Sequence, residues 1–180
     1  MPARRPRHPL AALLLALVST IVLAQSDGAF EAQPLAGVNR VELTVTGVPD
    51  DFARYGLTAH ELRERISAAL TGHGLEVVDA ASAARDPRAA RLHLRFDANR
   101  NPYAFYHYGI SLRLLRKLPL DAAAAGYVAT EVWSAGRHGV IEPADMKPIY
   151  GFADELVARF LAEHGRDNAA AATALRARNT

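Results

Sequence analysis

Apolar and polar residues alternate over 40–48 (RVELTVTGV), with Val41, Leu43 and Val45 on one face and Glu42, Thr44 and Thr46 on the other. That period of two predicts a half-buried strand. The period then changes. Leu62, Ile66, Ala69 and Leu70 share one side of a helix over 59–72, with Arg63, Glu64, Arg65 and Ser67 opposite. Thr58 and Glu61 have the spacing of a capping box, Leu57 and Leu62 that of a hydrophobic staple, and Gly72 and Gly74 supply the stop. A short apolar run at 75–79 (LEVVD) predicts a second strand, and 80–90, carrying Asp86-Pro87, a loop. Alternation resumes at 91–97, where Leu92, Leu94 and Phe96 point one way and His93, Arg95 and Asp97 the other. Asn99 to Pro102 is turn chemistry. A long strand over 103–118 follows, a break at 119–126, and another strand at 127–135. The last periodic tract is a helix over 148–164. Ile149, Phe152, Ala153, Leu156, Val157, Phe160 and Leu161 form its apolar stripe, and His164-Gly165 its end.

The order is β-α-β-β-β-β-α, which predicts an α/β fold of α+β type: one mostly antiparallel sheet with two helices packed on one face. The first β-α-β unit requires a right-handed crossover, and the later strands read as antiparallel hairpins. The other face of the sheet is then bare. Residues 25–39 show no period and predict a flexible linker to a single domain over 40–168, and the alanine-rich stretch 169–180 lacks a core face and predicts a mobile tail.

The amino-terminal 24 residues have a different pattern. Arg4, Arg5 and Arg7 precede an apolar run at 10–23, and Val22 and Ala24 stand at the −3 and −1 positions before Gln25. These are the parts of a secretory signal peptide, and the run is shorter than the 18–20 residues of a spanning helix. The expectation is export to the periplasm and a soluble protein after cleavage. The net charge of +2 then changes as well: without those three arginines, 18 Lys and Arg face 19 Asp and Glu. A near-neutral chain lacks the clustered positive footprint that nucleic acid requires. The chain has no cysteine. This excludes a disulfide framework, thiol chemistry, zinc–thiolate sites and the lipid anchor of a lipoprotein, so no direct membrane anchor is expected.

Candidate chemistry falls on the bare face. A turn centred on Arg100 would set His93 opposite His107, Arg95 opposite Phe105 and Asp97 opposite Tyr103. A pair of histidines on adjacent strands is a weak candidate for a shared metal ion, but no third ligand is placed to complete it. The next hairpin would set Trp133 opposite Ser111 and Arg113 opposite Glu131. Tyr103, Phe105, His107, Trp133, Arg95 and Arg113 would together make a partner-binding surface, since aromatic and arginine side chains concentrate interface energy.

Catalytic motifs are missing. His60-Glu61-Leu62-Arg63-Glu64 begins like a zinc-protease helix but ends in Glu, and the capping box accounts for it. There is no G-x-S-x-G, P-loop or G-x-G-x-x-G, and no cofactor is implied. VELTVTGV, the capped helix ending TGHGLEVVD, the Tyr-rich long strand, TEVWSAG and the FADELVARFLAEHGRDN helix together resemble small exported bacterial α/β domains. Such domains occur in uncharacterised proteobacterial periplasmic proteins and, more distantly, at the amino end of the translocation protein TolB and in the lipopolysaccharide-assembly lipoprotein LptE. The resemblance covers about 40–168 and brings no catalytic residue with it. The function expected is a non-enzymatic periplasmic binding or adaptor protein of the cell envelope, with an envelope protein as partner and a homodimer allowed by an exposed edge strand. The alternative is a small-molecule or lipid carrier with a groove between sheet and helices.

Overall fold

The computed structural model describes residues 33–178 except 104, 121–125, 143 and 145. The signal-peptide segment and the first part of the expected linker lie outside the described residues. The alternating tracts become strands β1 (Arg40–Thr46), β2 (Glu76–Val78), β3 (Ala90–Arg100), β4 (Tyr106–Pro119) and β5 (Tyr127–Ile141). The helical tracts become α1 (Ala59–Gly72) and the much longer α3 (Pro148–Arg178), with a short α2 (Ala80–Arg85) in the stretch expected to be loop. One mixed sheet runs in the order β2-β1-β3-β4-β5. β1 pairs in parallel with both β2 and β3, whereas the long β3–β4 and β4–β5 ladders are antiparallel.

The expected bare face is in fact partly covered by α2. The connection from β1 to β2 moves one way across the sheet, with α1 packed on the inner face. The connection from β2 to β3 moves back past β1. A right-handed crossover must therefore pass over the opposite face. α2 lies there, with Lys117 of β4 donating to the carbonyls of Ala83, Ala84 and Asp86.

α1 begins as its sequence dictates, with one change of partner. Thr58 Oγ1 accepts from the Glu61 amide at 3.1 Å. The reciprocal bond of a capping box is not made. The Thr58 amide donates to the hydroxyl of Tyr150 at 3.0 Å, and that hydroxyl donates to Glu61 Oε2 at 2.7 Å. A tyrosine from the start of α3 is thus inserted into the box and ties the two helices together. Leu57 and Leu62, the staple positions, are both wholly buried.

The core lies between the sheet and these two helices. Leu92, Leu94, Phe96, Ile110, Leu112 and Leu114 from the strands meet Leu62, Ile66 and Leu70 of α1 and Ile149, Ala153, Val157 and Phe160 of α3. Residues 50–55 add a 3₁₀ turn that sends Phe52 edge-on against Phe96 and Tyr106, with centroids 6.0 and 5.0 Å apart.

Several boundaries differ from the sequence reading: β4 begins at Tyr106, three residues later than expected, and β5 runs on to Ile141, six residues past its expected end. Residues 33–39 are not a flexible linker: Leu35 and Val38 are buried in the core, the Leu35 amide donates to Asp167 Oδ2 at 3.0 Å, and the Gly37 amide donates to Asn168 Oδ1 at 2.9 Å. His164 Nε2 lies 2.6 Å from the Val38 carbonyl and donates to it. Those bonds need 164–168 in helical phase, so α3 runs through Gly165 instead of stopping there. Its continuation to Arg178 is almost wholly exposed, in keeping with the absence of a core face.

Candidate functional site

The outer face of the β-meander is polar. It displays Arg91, His93, Arg95 and Asp97 from β3 and His107, Ser111 and Arg113 from β4. Each arginine has an acidic partner: Arg91 with Glu42 at 3.0 Å, Arg95 with both oxygens of Asp97 at 2.8 and 3.0 Å, and Arg113 with Glu131 at 3.5 Å. The last contact is diagonal: the expected cross-strand pairs Arg113 with Glu131 and Ser111 with Trp133 do not form, since Arg113 stands opposite Ser134 and Ser111 opposite Gly136. Asp97 is held below its ordinary carboxylate value, chiefly by the hydrogen bonds from Arg95.

The β3–β4 register differs from the expected one. The turn centres three residues later, because Asn101 Oδ1 accepts from the amides of both Tyr103 and Phe105 at 3.0 Å while the Asn101 amide donates to the Phe105 carbonyl at 2.8 Å. His93 therefore pairs with Arg113, Arg95 with Ser111, Asp97 with Gly109 and His107 with Asn99. The histidine pair does not form. His93 instead bonds Thr46 Oγ1 at 2.7 Å, and burial, followed by the charges of Arg113, Arg91 and Arg95, depresses its pKa and favours the neutral ring. A cationic ring of neighbours is also a poor setting for a metal ion. No cluster of three or more ligating side chains occurs among the described residues.

Trp133 lies on the other side of the sheet. It pairs with Leu114, whereas Glu131 pairs with Leu115, so Val132 is the extra residue of a β-bulge. Without the bulge, strand alternation would put Glu131 and Trp133 on the same face; one added residue sends Trp133 inward. It is only 8% exposed, packs edge-on against Phe160 at 5.3 Å, and donates from Nε1 to Glu163 Oε2 at 2.6 Å. Arg159 and Trp133, in that order, hold the Glu163 carboxyl below its ordinary value.

The six expected surface residues are thus divided. Arg95, Arg113 and His107 stand on the outer face, Tyr103 and Phe105 at the hairpin turn beyond it, and Trp133 in the core. Tyr103 is 81% exposed, and Val140, paired with His107, is also exposed. These residues form an apolar end to the meander. Pattern reading passed over a second such end. Leu118, Leu120, Tyr127 and Val128 are exposed around the β4–β5 turn, and Arg85 and Lys117 share a depression with Tyr127. The available signal was the apolar pair of tracts KLPL and GYV on either side of the break at 119–126.

These features define an α/β domain with a filled core and apolar residues displayed at both ends of a three-stranded meander. No family model matches the chain, and no curated protein matches it. Among solved structures, the chain is similar to a PelC variant dodecamer from Paraburkholderia phytofirmans, with a TM-score of 0.39 and 16% identity over 72% of this chain and 90% of that one. A likeness at that level says nothing about activity or assembly.

Proposed function

We propose that the chain is a non-enzymatic binding or adaptor protein of the bacterial envelope, exported to the periplasm and capturing a protein partner through the Tyr103–Phe105 end of its meander. One observation carries this reading. Of the large apolar side chains exposed among the described residues, all but Leu175 stand near one of the two meander ends. Exposed aromatic clusters of this kind mark interaction sites. The ends are separated by the length of β4, roughly 40–45 Å at the usual strand rise, a layout suited to bridging two partners. The leader pattern at 1–24 supports export, and no helix of the described residues is long and apolar enough to cross a membrane. A carrier needs space between sheet and helices, and that layer is filled by Ile66, Leu94, Leu112 and Phe160.

The test is capture from envelope extract by a photo-crosslinker placed beside the turn. The double substitution Tyr103→Ala and Phe105→Ala should weaken capture about 30-fold or more, as expected for two interface anchors worth at least about 1 kcal/mol each, while leaving the melting temperature unchanged. Equal capture by wild type and double variant would remove the basis of this proposal.

A further inference from the structure

We propose that the opposite end of the meander is a peripheral docking surface for the phosphate-bearing headgroups of an anionic lipid bilayer. Three adjoining depressions of about 360, 440 and 460 Å³ meet at Pro87. Their walls carry Arg40, Arg85, Arg88, Arg116 and Lys117 against a single carboxylate, Asp86. Asp86 is already engaged by Arg40 at 2.6 Å and by the Arg88 amide at 2.8 Å, and Arg40 is shared with Glu76. Arg116 donates to the carbonyls of Pro34 and Ala36, and Lys117 to those of α2. Bonds to neutral carbonyls fix these cations in place without cancelling their charge. Arg85 and Arg88 are exposed and make no direct ion pair among the described residues, although Arg85 acts at longer range on Asp79 and Arg88 on Asp86. The result is a local positive excess on a chain that is close to neutral overall, complementary to phosphate diesters.

The apolar part of the surface makes the ligand a lipid surface in preference to a soluble anion. Tyr127 lines the same depression as Arg85 and Lys117. Around it Leu120 is 53% exposed and Tyr127 56%. Leu118 and Val128 pair across the ladder on the helix side of the sheet, while Pro119 and Tyr127 pair on the outer side. A flat protein partner would cover one side of such a tip. The strand ends at Leu118–Leu120 and Tyr127–Val128 are apolar on both sides of the sheet, which suits a medium that meets both. An amphipathic tyrosine and flanking cations are the residues expected at the headgroup level.

Flotation with vesicles tests the proposal, using protein purified from cells expressing the full chain. Binding is expected to vesicles of phosphatidylcholine with phosphatidylglycerol, to weaken as salt is raised, and to be much weaker on phosphatidylcholine alone. Each cation near an anionic surface is worth about fivefold in partitioning, so Arg85→Gln with Arg88→Gln should lower binding about 25-fold. Arg85→Lys with Arg88→Lys should restore it, which separates charge from folding. Leu120→Ser with Tyr127→Ser should also weaken binding, whereas Tyr103→Ala with Phe105→Ala should not, so this proposal and the protein-capture reading fail independently. Equal binding to both vesicle types, or indifference to the charge or tip substitutions, overturns the proposal. So does displacement by inorganic phosphate, which would make the ligand a soluble oxyanion.

Discussion

Trp133 illustrates how much one inserted residue decides. The bulge at Val132 turns the indole from the solvent side to the core, where it packs on Phe160 and donates to Glu163. Its removal is consequently a matter of stability. Trp133→Ala should cost about 3–5 kcal/mol, the range for deleting a large buried aromatic, measured by urea unfolding. Trp133→Phe should recover much of the loss, because it refills the volume and forfeits only the Glu163 bond. An alanine variant as stable as wild type would mean that the ring is not packed against α3. Gly47 is a second position where single atoms decide. Its φ of 83° is in the left-handed region, and a Cβ there would stand 1.9 Å from the Phe96 carbonyl oxygen, so glycine is the residue that allows β1 to end against β3.

At the scale of elements, α1 and α3 are joined by the Tyr150 hydroxyl, which receives the Thr58 amide and donates to Glu61. Burial, followed by the bond to Glu61, raises the Tyr150 pKa, so the phenol stays protonated and available as a donor. Tyr150→Phe leaves a partly buried amide and a carboxylate short of a partner and should cost about 1–2 kcal/mol. In a double-mutant cycle with Glu61→Ala the two losses should couple by about 0.5 kcal/mol or more; strict additivity would mean that the two groups do not act on each other. This brace also marks the limit of what the sequence made legible. The bounds of α1 and the alternation of β1 and β3 depend on local spacing, and they were readable. The β3–β4 register depends on one Asn101 side chain accepting two amides, and the inward turn of Trp133 depends on a bulge; periodicity carries neither. The passage of α3 through Gly165 depends on Asp167 and Asn168 meeting a turn more than a hundred residues away. The expected binding surface was half legible for the same reason: three of its residues lie where alternation put them, and the rest follow turn and bulge geometry.

For the whole molecule, acid should act in two stages. His93 is depressed below its ordinary 6.5 by burial and three arginines, so the unfolded chain binds its proton first as pH falls. Stability is therefore full above pH 6.5 and declines as pH drops through the lower folded value. Below that, Asp79, Asp86, Asp97 and Glu163 all have folded values beneath their ordinary 3.8 or 4.5, held down by hydrogen bonds from Ser82, Arg88, Arg95 and Arg159 respectively. A carboxylate depressed in the folded state contributes stability above its unfolded pKa and loses it as pH falls through the folded one, so the second decline begins near pH 4.5 and steepens below it. Asp79 and Asp97 are exposed and screened by solvent, so their contributions should weaken with added salt. Asp86 and Glu163, both half-buried, should retain more of their effect. Melting temperature measured from pH 8 to pH 3 should show both declines. His93→Gln should flatten the first without touching the second, and Glu163→Gln should lower stability at pH 7 while reducing the drop below pH 4.5. A wild-type profile level from pH 7 to pH 5 would mean that the His93 ring is as free to take a proton in the folded sheet as in the unfolded chain.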